Sequence, residues 1–185
     1  MSTYRNMGKQ ILVISSSPRK GGNSDLLCDQ FLLGSKDAGH NSEKIFLKDK
    51  TINYCTGCGN CFTEGNGCSQ KDDMAAVLDK MISADVIVMA TPVYFYTMCA
   101  QMKTLIDRTC ARYTEIKNKE FFFIMTSADS SRKAMDRTLV EFRGFTSCLD
   151  GAKEKGVICG TGAWNKGDIK NSKTIGQAYE QGKNV

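Results

Sequence analysis

The sequence predicts an α/β fold: an open sheet of five parallel strands with helices on both faces. Three observations point to it. Short apolar runs alternate with segments of helical periodicity, and no repeat or low-complexity linker breaks the alternation. Two of the runs, ILVI at 11–14 and VIVMA at 86–90, are apolar without interruption, which suits strands covered on both sides. The first, third and fourth runs end in polar or aromatic loops, and such a sheet gathers its ligand at the carboxyl ends of its strands. With 185 residues, the chain is most simply one domain, 1–185, carrying a cysteine-bearing loop at about 48–73.

The elements follow in order. Residues 11–14 form the first strand, and the loop 15–24 leads into a helix over 26–38, with Leu27, Phe31, Gly34 and Ala38 on one stripe. Gly39 stops that helix, and His40 just beyond it reads as a surface residue. Residues 42–47 give the second strand. After the long loop, Asp72 or Asp73 caps a helix to residue 83 that turns Met74, Val77, Leu78 and Met81 inward. The third strand, 86–90, ends in a loop over 91–97. A helix over 98–112 then buries Cys99, Met102, Leu105 and Ile106. The fourth strand, 120–126, is followed by the loop SADSSR. A helix over 134–150 carries Met135, Leu139 and Phe142, and 156–159 form the fifth strand. From residue 161 the chain is glycine-rich until 168, and a last helix runs to about 180.

Composition narrows the function. Charged residues make up 24% and apolar ones 41%, as in an ordinary globular chain, and the apolar runs are too short to span a bilayer. The start, MSTYRNMGKQ, lacks the apolar centre of a signal peptide, so a cytoplasmic protein with no membrane contact is expected. A net charge of +5 spread along the chain gives no nucleic-acid footprint. One histidine leaves little scope for a histidine-based triad or metal site. Nine cysteines without a secretory signal point to thiol, metal or redox chemistry rather than to a disulfide framework.

The loop after the first strand reads SSSPRKGGNS, and its chemistry is that of a phosphate seat. Hydroxyls and backbone N–H groups donate to the anion, Arg19 and Lys20 offset its charge, and the following helix start adds partial positive charge. The alternative is an ordinary turn with Ser24 as helix cap. Neither GxxxxGK[ST] nor GxGxxG occurs here, which disfavours a nucleoside triphosphate and a dinucleotide. A hydroxyl-lined loop at the first strand end is the flavodoxin-like arrangement, a three-layer sandwich whose ligand is FMN. In the second loop, Tyr94, Phe95 and Tyr96 are either core or subunit-contact residues or a wall for the flavin ring, and both hold if the ring lies at an interface. Trp164 covers the ring or a neighbouring subunit, or it packs.

Cys55, Cys58, Cys61 and Cys68 have the spacing C-x2-C-x2-C-x6-C, with the return to Cys68 eased by Gly65 and Gly67. Such thiolates suit a [4Fe-4S] cluster, although the fourth cysteine precedes Ser69 where the known template has proline. Empty thiols and zinc are the alternatives. Cys28, Cys99, Cys110, Cys148 and Cys159 read as core residues, and Asp107-Arg108 as a helix-end contact.

The segments SSPRKGGNS, TPVYFYTMCAQMKTLIDR and CTGCGNCFTEGNGCSQKDDM together resemble the NADPH-dependent FMN reductase superfamily and, within it, the iron–sulfur flavoproteins, over roughly residues 10–165. The resemblance implies tightly bound FMN. Its phosphate would be gripped by Ser15, Ser17, Arg19, Asn23 and Ser24, and its ring cradled by Pro92, Val93, Tyr94, Phe95, Tyr96 and Thr97. Ser127, Ala128 and Asp129 would lie near the ring edge. It also implies a homodimer or homotetramer with flavins near the subunit contacts. The expected activity is hydride transfer from NAD(P)H to flavin N5 and onward to a small acceptor such as a quinone, a nitro compound or flavin, with no protein nucleophile or base. The alternative is an iron–sulfur electron carrier reduced by a ferredoxin-like partner.

Overall fold

The structure, a computed structural model, describes residues 8–63 and 67–185. Gly65 and the leading residues 1–7 lie outside the described residues. Five parallel strands, β1 (Gln10–Ser15), β2 (Asn41–Phe46), β3 (Val86–Tyr94), β5 (Glu120–Thr126) and β6 (Lys153–Gly160), are ordered β2-β1-β3-β5-β6. β4 (Thr97–Met98) pairs antiparallel with the end of β3. Helices α1 (Asn23–Asp37) and α5 (Lys173–Lys183) cover one face, and α2 (Met74–Ser83), α3 (Ala100–Arg108) and α4 (Asp136–Thr146) the other. The chain leaves β1 for β2 on one side and returns to β3 on the other. The strand order therefore reverses between β1 and β3, where an open sheet leaves a crevice.

The unbroken apolar runs follow from this sandwich. Along β1, Leu12 and Ile14 join the core beneath α2–α4, while Ile11 and Val13 join the core beneath α1 and α5. Along β5, Phe121, Phe123 and Met125 alternate with Phe122 and Ile124 in the same way. Phe123 stacks on Phe142 of α4 at 4.8 Å, and Phe31 of α1 meets Phe122 edge-on at 5.0 Å. Gly34 lies on the buried stripe because α1 and α5 touch through their backbones. A Cβ there would fall 2.1 Å from the Tyr179 carbonyl oxygen, and one at Gly182 equally close to that of Phe31.

Several boundaries differ from the sequence reading. β3 does not stop at residue 90 but continues through Pro92 and Val93 to Tyr94 and turns back as a hairpin. The helix expected over 98–112 is shorter, because after Arg108 the backbone tightens into single 3₁₀ turns at Thr109–Ala111 and Tyr113–Glu115. α4 begins after a 3₁₀ turn at Arg132–Met135 and ends at Thr146. β6 starts at Lys153, earlier than its apolar run. Lys153, Glu154 and Lys155 are exposed there, and such charges keep an edge strand from pairing further. Asp73 precedes α2 without a side-chain bond to the helix, its Oδ2 accepting instead from the Thr51 N–H, and the Met74 N–H meets Asp72 Oδ1 at 3.1 Å. His40 is half-buried and accepts from the Lys9 N–H. Cys28 and Cys99 are core residues as expected, and burial pushes the Cys28 thiol pKa well up. Cys110 and Cys159 are only half-buried and Cys148 is exposed. Among the described residues, no helix is long and apolar enough to cross a membrane.

Candidate functional site

The loop leaving β1 is held from below and left open above. Ser16 is consumed by the sheet: its N–H and Oγ both donate to the Ala90 carbonyl, and the Cys99 thiol lies 3.1 Å from Oγ. Ser17 Oγ accepts from the Arg19 N–H and donates to the Arg19 carbonyl, closing a tight turn. Gly22 sits against that turn, where a Cβ would approach Ser17 Oγ to 2.5 Å. The Gly21 N–H meets Asp25 Oδ2 at 2.9 Å, and Lys44 neutralises Asp25 from 2.9 Å.

Gly22 is the residue before α1, so that helix start has no side-chain cap. Ser24 does not serve as one. It lies within the first turn, 1% exposed, with its Oγ unpartnered among the described residues, as is that of Ser15 below it. A buried, unbonded hydroxyl costs about 1–3 kcal/mol, and uncapped N–H groups beside it are a ready anion site. Arg19 is exposed and makes no ion pair among the described residues, whereas Lys20 turns away to Asp49 and the Phe46 ring.

Asn23 has a different task from its neighbours. Its Nδ2 donates to the carbonyls of Ala163 and Asn165, and its Oδ1 accepts from the N–H groups of Gly167 and Ile169. All of its side-chain hydrogen-bonding capacity thus holds the glycine-rich segment that carries Trp164. Asn23→Ala should raise amide exchange at Gly167 and Ile169 in flavin-free protein, checked by hydrogen exchange with mass spectrometry. Wild-type exchange there would exclude the clamp.

Above this loop lies a cleft of about 1000 Å³ at the strand ends. Twelve of the fourteen sequence-predicted cofactor residues line it, all except Ser15, buried at the end of β1, and Thr97, whose Oγ1 bonds the Tyr94 carbonyl. Met98 at the end of β4 and Cys99 and Ala100 at the start of α3 also line it, with Thr126, Ala163 and Trp164. Met98 closes the hairpin's return strand and the next two residues follow it directly, a continuation of β3 that the sequence pattern does not signal.

The hairpin tip is strained. Phe95 and Tyr96 adopt φ of 50° and 66°, the left-handed pair of a type I′ turn that usually takes Asn-Gly. Each costs roughly 1–2 kcal/mol for a side chain without local hydrogen bonds. Phe95 is 98% exposed and Tyr96 54%, so neither ring recovers that cost by burial within the chain, and Trp164 is exposed as well. Strain and exposed rings together mark a functional edge. On the third loop, Ser127 Oγ accepts from the Asp129 N–H and Asp129 Oδ1 from the Ser131 N–H, which fixes the cleft's far wall.

The cysteine segment docks through Arg108. The guanidinium bonds both oxygens of Asp72 at 2.7 and 2.9 Å and the Asn53 carbonyl at 2.7 Å, and its Nη2 lies 3.5 Å from Cys68 Sγ. Asp107 and Arg108 do close the end of α3, where Asp107 pairs with Lys103 and Arg108 with Asp72. Arg108 and Asp72 are both buried, and the guanidinium holds the Asp72 pKa at about 2. The hydroxyl of Ser69 lowers the pKa of the exposed Cys58 thiol. Burial, then the neighbouring Cys61, raises that of Cys110. Among the described residues, no three of Cys55, Cys58, Cys61 and Cys68 or their acidic neighbours are gathered closely enough to hold a metal ion. The donor chemistry suits a cluster, and the described geometry does not assemble its ligand set.

A family model described as NADPH-dependent FMN reductase matches residues 10–148, from β1 through α4. The chain belongs to this family. The match contains the phosphate-type loop, the aromatic hairpin, the cysteine segment and the third loop of this FMN reductase family member. An iron–sulfur flavoprotein of Archaeoglobus fulgidus is 43% identical over 95 residues, 51% of this chain and 43% of the relative. One of Methanocaldococcus jannaschii is 42% identical over 100 residues, 54% and 51% of the two. The chain thus spans about half the length of the curated relatives it matches. Among solved structures, an FMN-dependent NADH-azoreductase of Bacillus anthracis in complex with FMN superposes with a TM-score of 0.69 at 16% identity, over 95% of this chain and 96% of the other. An NAD(P)H:quinone oxidoreductase of Methanothermobacter marburgensis gives 0.69 at 13%, over 96% of each. At these identities they share the flavodoxin-like fold with this chain.

Proposed function

We propose that this FMN reductase family member binds FMN in the cleft and uses it to pass electrons from NAD(P)H to a small acceptor such as a quinone, a nitro compound or free flavin. The observation that carries this reading is the uncapped start of α1, with the buried, unbonded Ser24 hydroxyl facing into the cleft-side turn. When bound, FMN supplies a ring nitrogen that accepts hydride. The chain supplies placement. Ser24 and the first-turn N–H groups bind the phosphate, Arg19 balances its charge, and Ser15 stays below as support. The Pro92–Thr97 hairpin backbone and Ser127 to Asp129 position the ring edges, and Tyr94, Tyr96 and Trp164 exclude water from its faces. No side chain needs to act as nucleophile or base. The exposed rings at the cleft rim also support a homodimer or homotetramer that covers them.

The test is direct. Purified protein should be yellow, or become so with FMN, and should oxidise NAD(P)H in the presence of a quinone. A colourless protein that takes up no FMN ends the reading.

A second reading is favoured by one feature: four cysteines at cluster spacing in a chain whose relatives are named iron–sulfur flavoproteins. In it the chain is an electron carrier served by a ferredoxin-like partner. Anaerobic purification with about four irons per chain, the cubane count, and reduction by ferredoxin but not NAD(P)H would favour it. Metal-free protein that turns over NAD(P)H would remove it.

A further inference from the structure

A second, smaller pocket of about 310 Å³ opens beyond the ring edge of the cleft, and it shares Tyr96 and Asp129 with it. Its other walls are Ser131, Lys133, Ala134 and Arg137, from the 3₁₀ turn and first turn of α4. The guanidinium of Arg137 lies 6.0 Å from the centre of the Tyr96 ring, and Thr138 Oγ1 donates to the Tyr96 carbonyl. The hairpin and α4 are thereby tied at this point. Neither Lys133 nor Arg137 has an ion-pair partner among the described residues, although nine other cationic side chains do. Asp129 is the acidic wall, and its Oδ1 is already engaged by the Ser131 N–H. The main cleft is at the upper end of small-molecule sites, so a flavin leaves room in it for a second planar group.

Resting on the proposed FMN site, we infer that Lys133 and Arg137 form an anion subsite for the 2′-phosphate of a reduced nicotinamide dinucleotide lying across the flavin, and so select NADPH over NADH. A phosphomonoester carries close to two charges near neutral pH, which two unpaired cations match. Arg137 offers a planar fork and Lys133 a point charge, a combination suited to a terminal phosphate. The 2′-phosphate is the one group that distinguishes the two dinucleotides, and it sits at the end remote from the nicotinamide. A subsite one pocket removed from the ring therefore discriminates without touching the reacting atoms.

The experiment is calorimetric titration of FMN-loaded protein with the redox-inert NADP⁺ and NAD⁺, alongside steady-state oxidation of NADPH and NADH. Wild type should bind NADP⁺ at least about tenfold more tightly than NAD⁺, the scale of one charge-assisted contact. Added salt should shrink the difference. The Lys133→Ala/Arg137→Ala double variant should lose the preference in binding and in kcat/KM while NAD⁺ affinity holds, with retained flavin absorbance reporting its fold. Equal loss for both nucleotides, no wild-type preference, or binding of neither overturns the subsite. A preference for NADP⁺ without NADPH oxidation upholds the subsite and removes the reductase reading. Oxidation of both dinucleotides without preference does the reverse.

Discussion

Arg108→Met should cost the fold about 3–5 kcal/mol, the scale of breaking a buried ion pair from one side. Arg108 is the point at which the cysteine segment meets the sandwich: it holds Asp72 with two bonds, the Asn53 carbonyl with a third, and approaches Cys68. Methionine fills much of the stem's volume but leaves the Asp72 carboxylate buried without a counter-charge. Asp72→Leu in the same chain should recover much of the loss, because removing both charges also removes their desolvation cost. Urea denaturation measures both. A single-variant cost below about 1 kcal/mol would mean the pair behaves as a surface bridge. The pair also sets an acid limit. The Asp72 pKa falls from 3.8 to about 2 on folding, so its contribution of roughly 2 kcal/mol is fully present above pH 4. It is lost as pH falls through 2, and the segment should undock in that window.

That contact shows what the sequence could and could not disclose. The phosphate-type loop was legible because its signal is local: strand, hydroxyls, glycines and helix start occupy fourteen consecutive residues, 11–24. The sandwich was legible because both faces of β1, β3 and β5 are apolar. Arg108 and Asp72 lie 36 residues apart, and no periodicity marks such a pair. In sequence Asn23 reads as one more phosphate donor, and only its distant partners near residues 163–169 give its side chain another task. The hairpin was hidden for another reason. Its two central residues are aromatic, whereas the readable signal for a left-handed turn is Asn or Gly. The cleft's composition was thus read almost in full, while the bonds that hold its walls in place were not.

Ser24→Ala should move stability and binding in opposite directions. In the flavin-free protein the Ser24 hydroxyl is buried and unbonded, so removing it relieves part of the 1–3 kcal/mol, roughly, that such a group costs. The variant should unfold at higher urea concentration than wild type. With FMN the sign reverses, because a hydrogen bond to a charged phosphate contributes about 1.5–3 kcal/mol, a roughly tenfold to hundredfold loss of affinity when removed. Fluorescence titration of FMN, free against bound, reads the second effect, and denaturation without flavin reads the first. Both must appear for the site to be what its geometry implies. A variant that loses stability and keeps FMN would make Ser24 an ordinary packing residue, and one that loses both would make it a structural donor whose partner lies within the protein. Only a hydroxyl held ready for an anion predicts a gain in one measurement and a loss in the other.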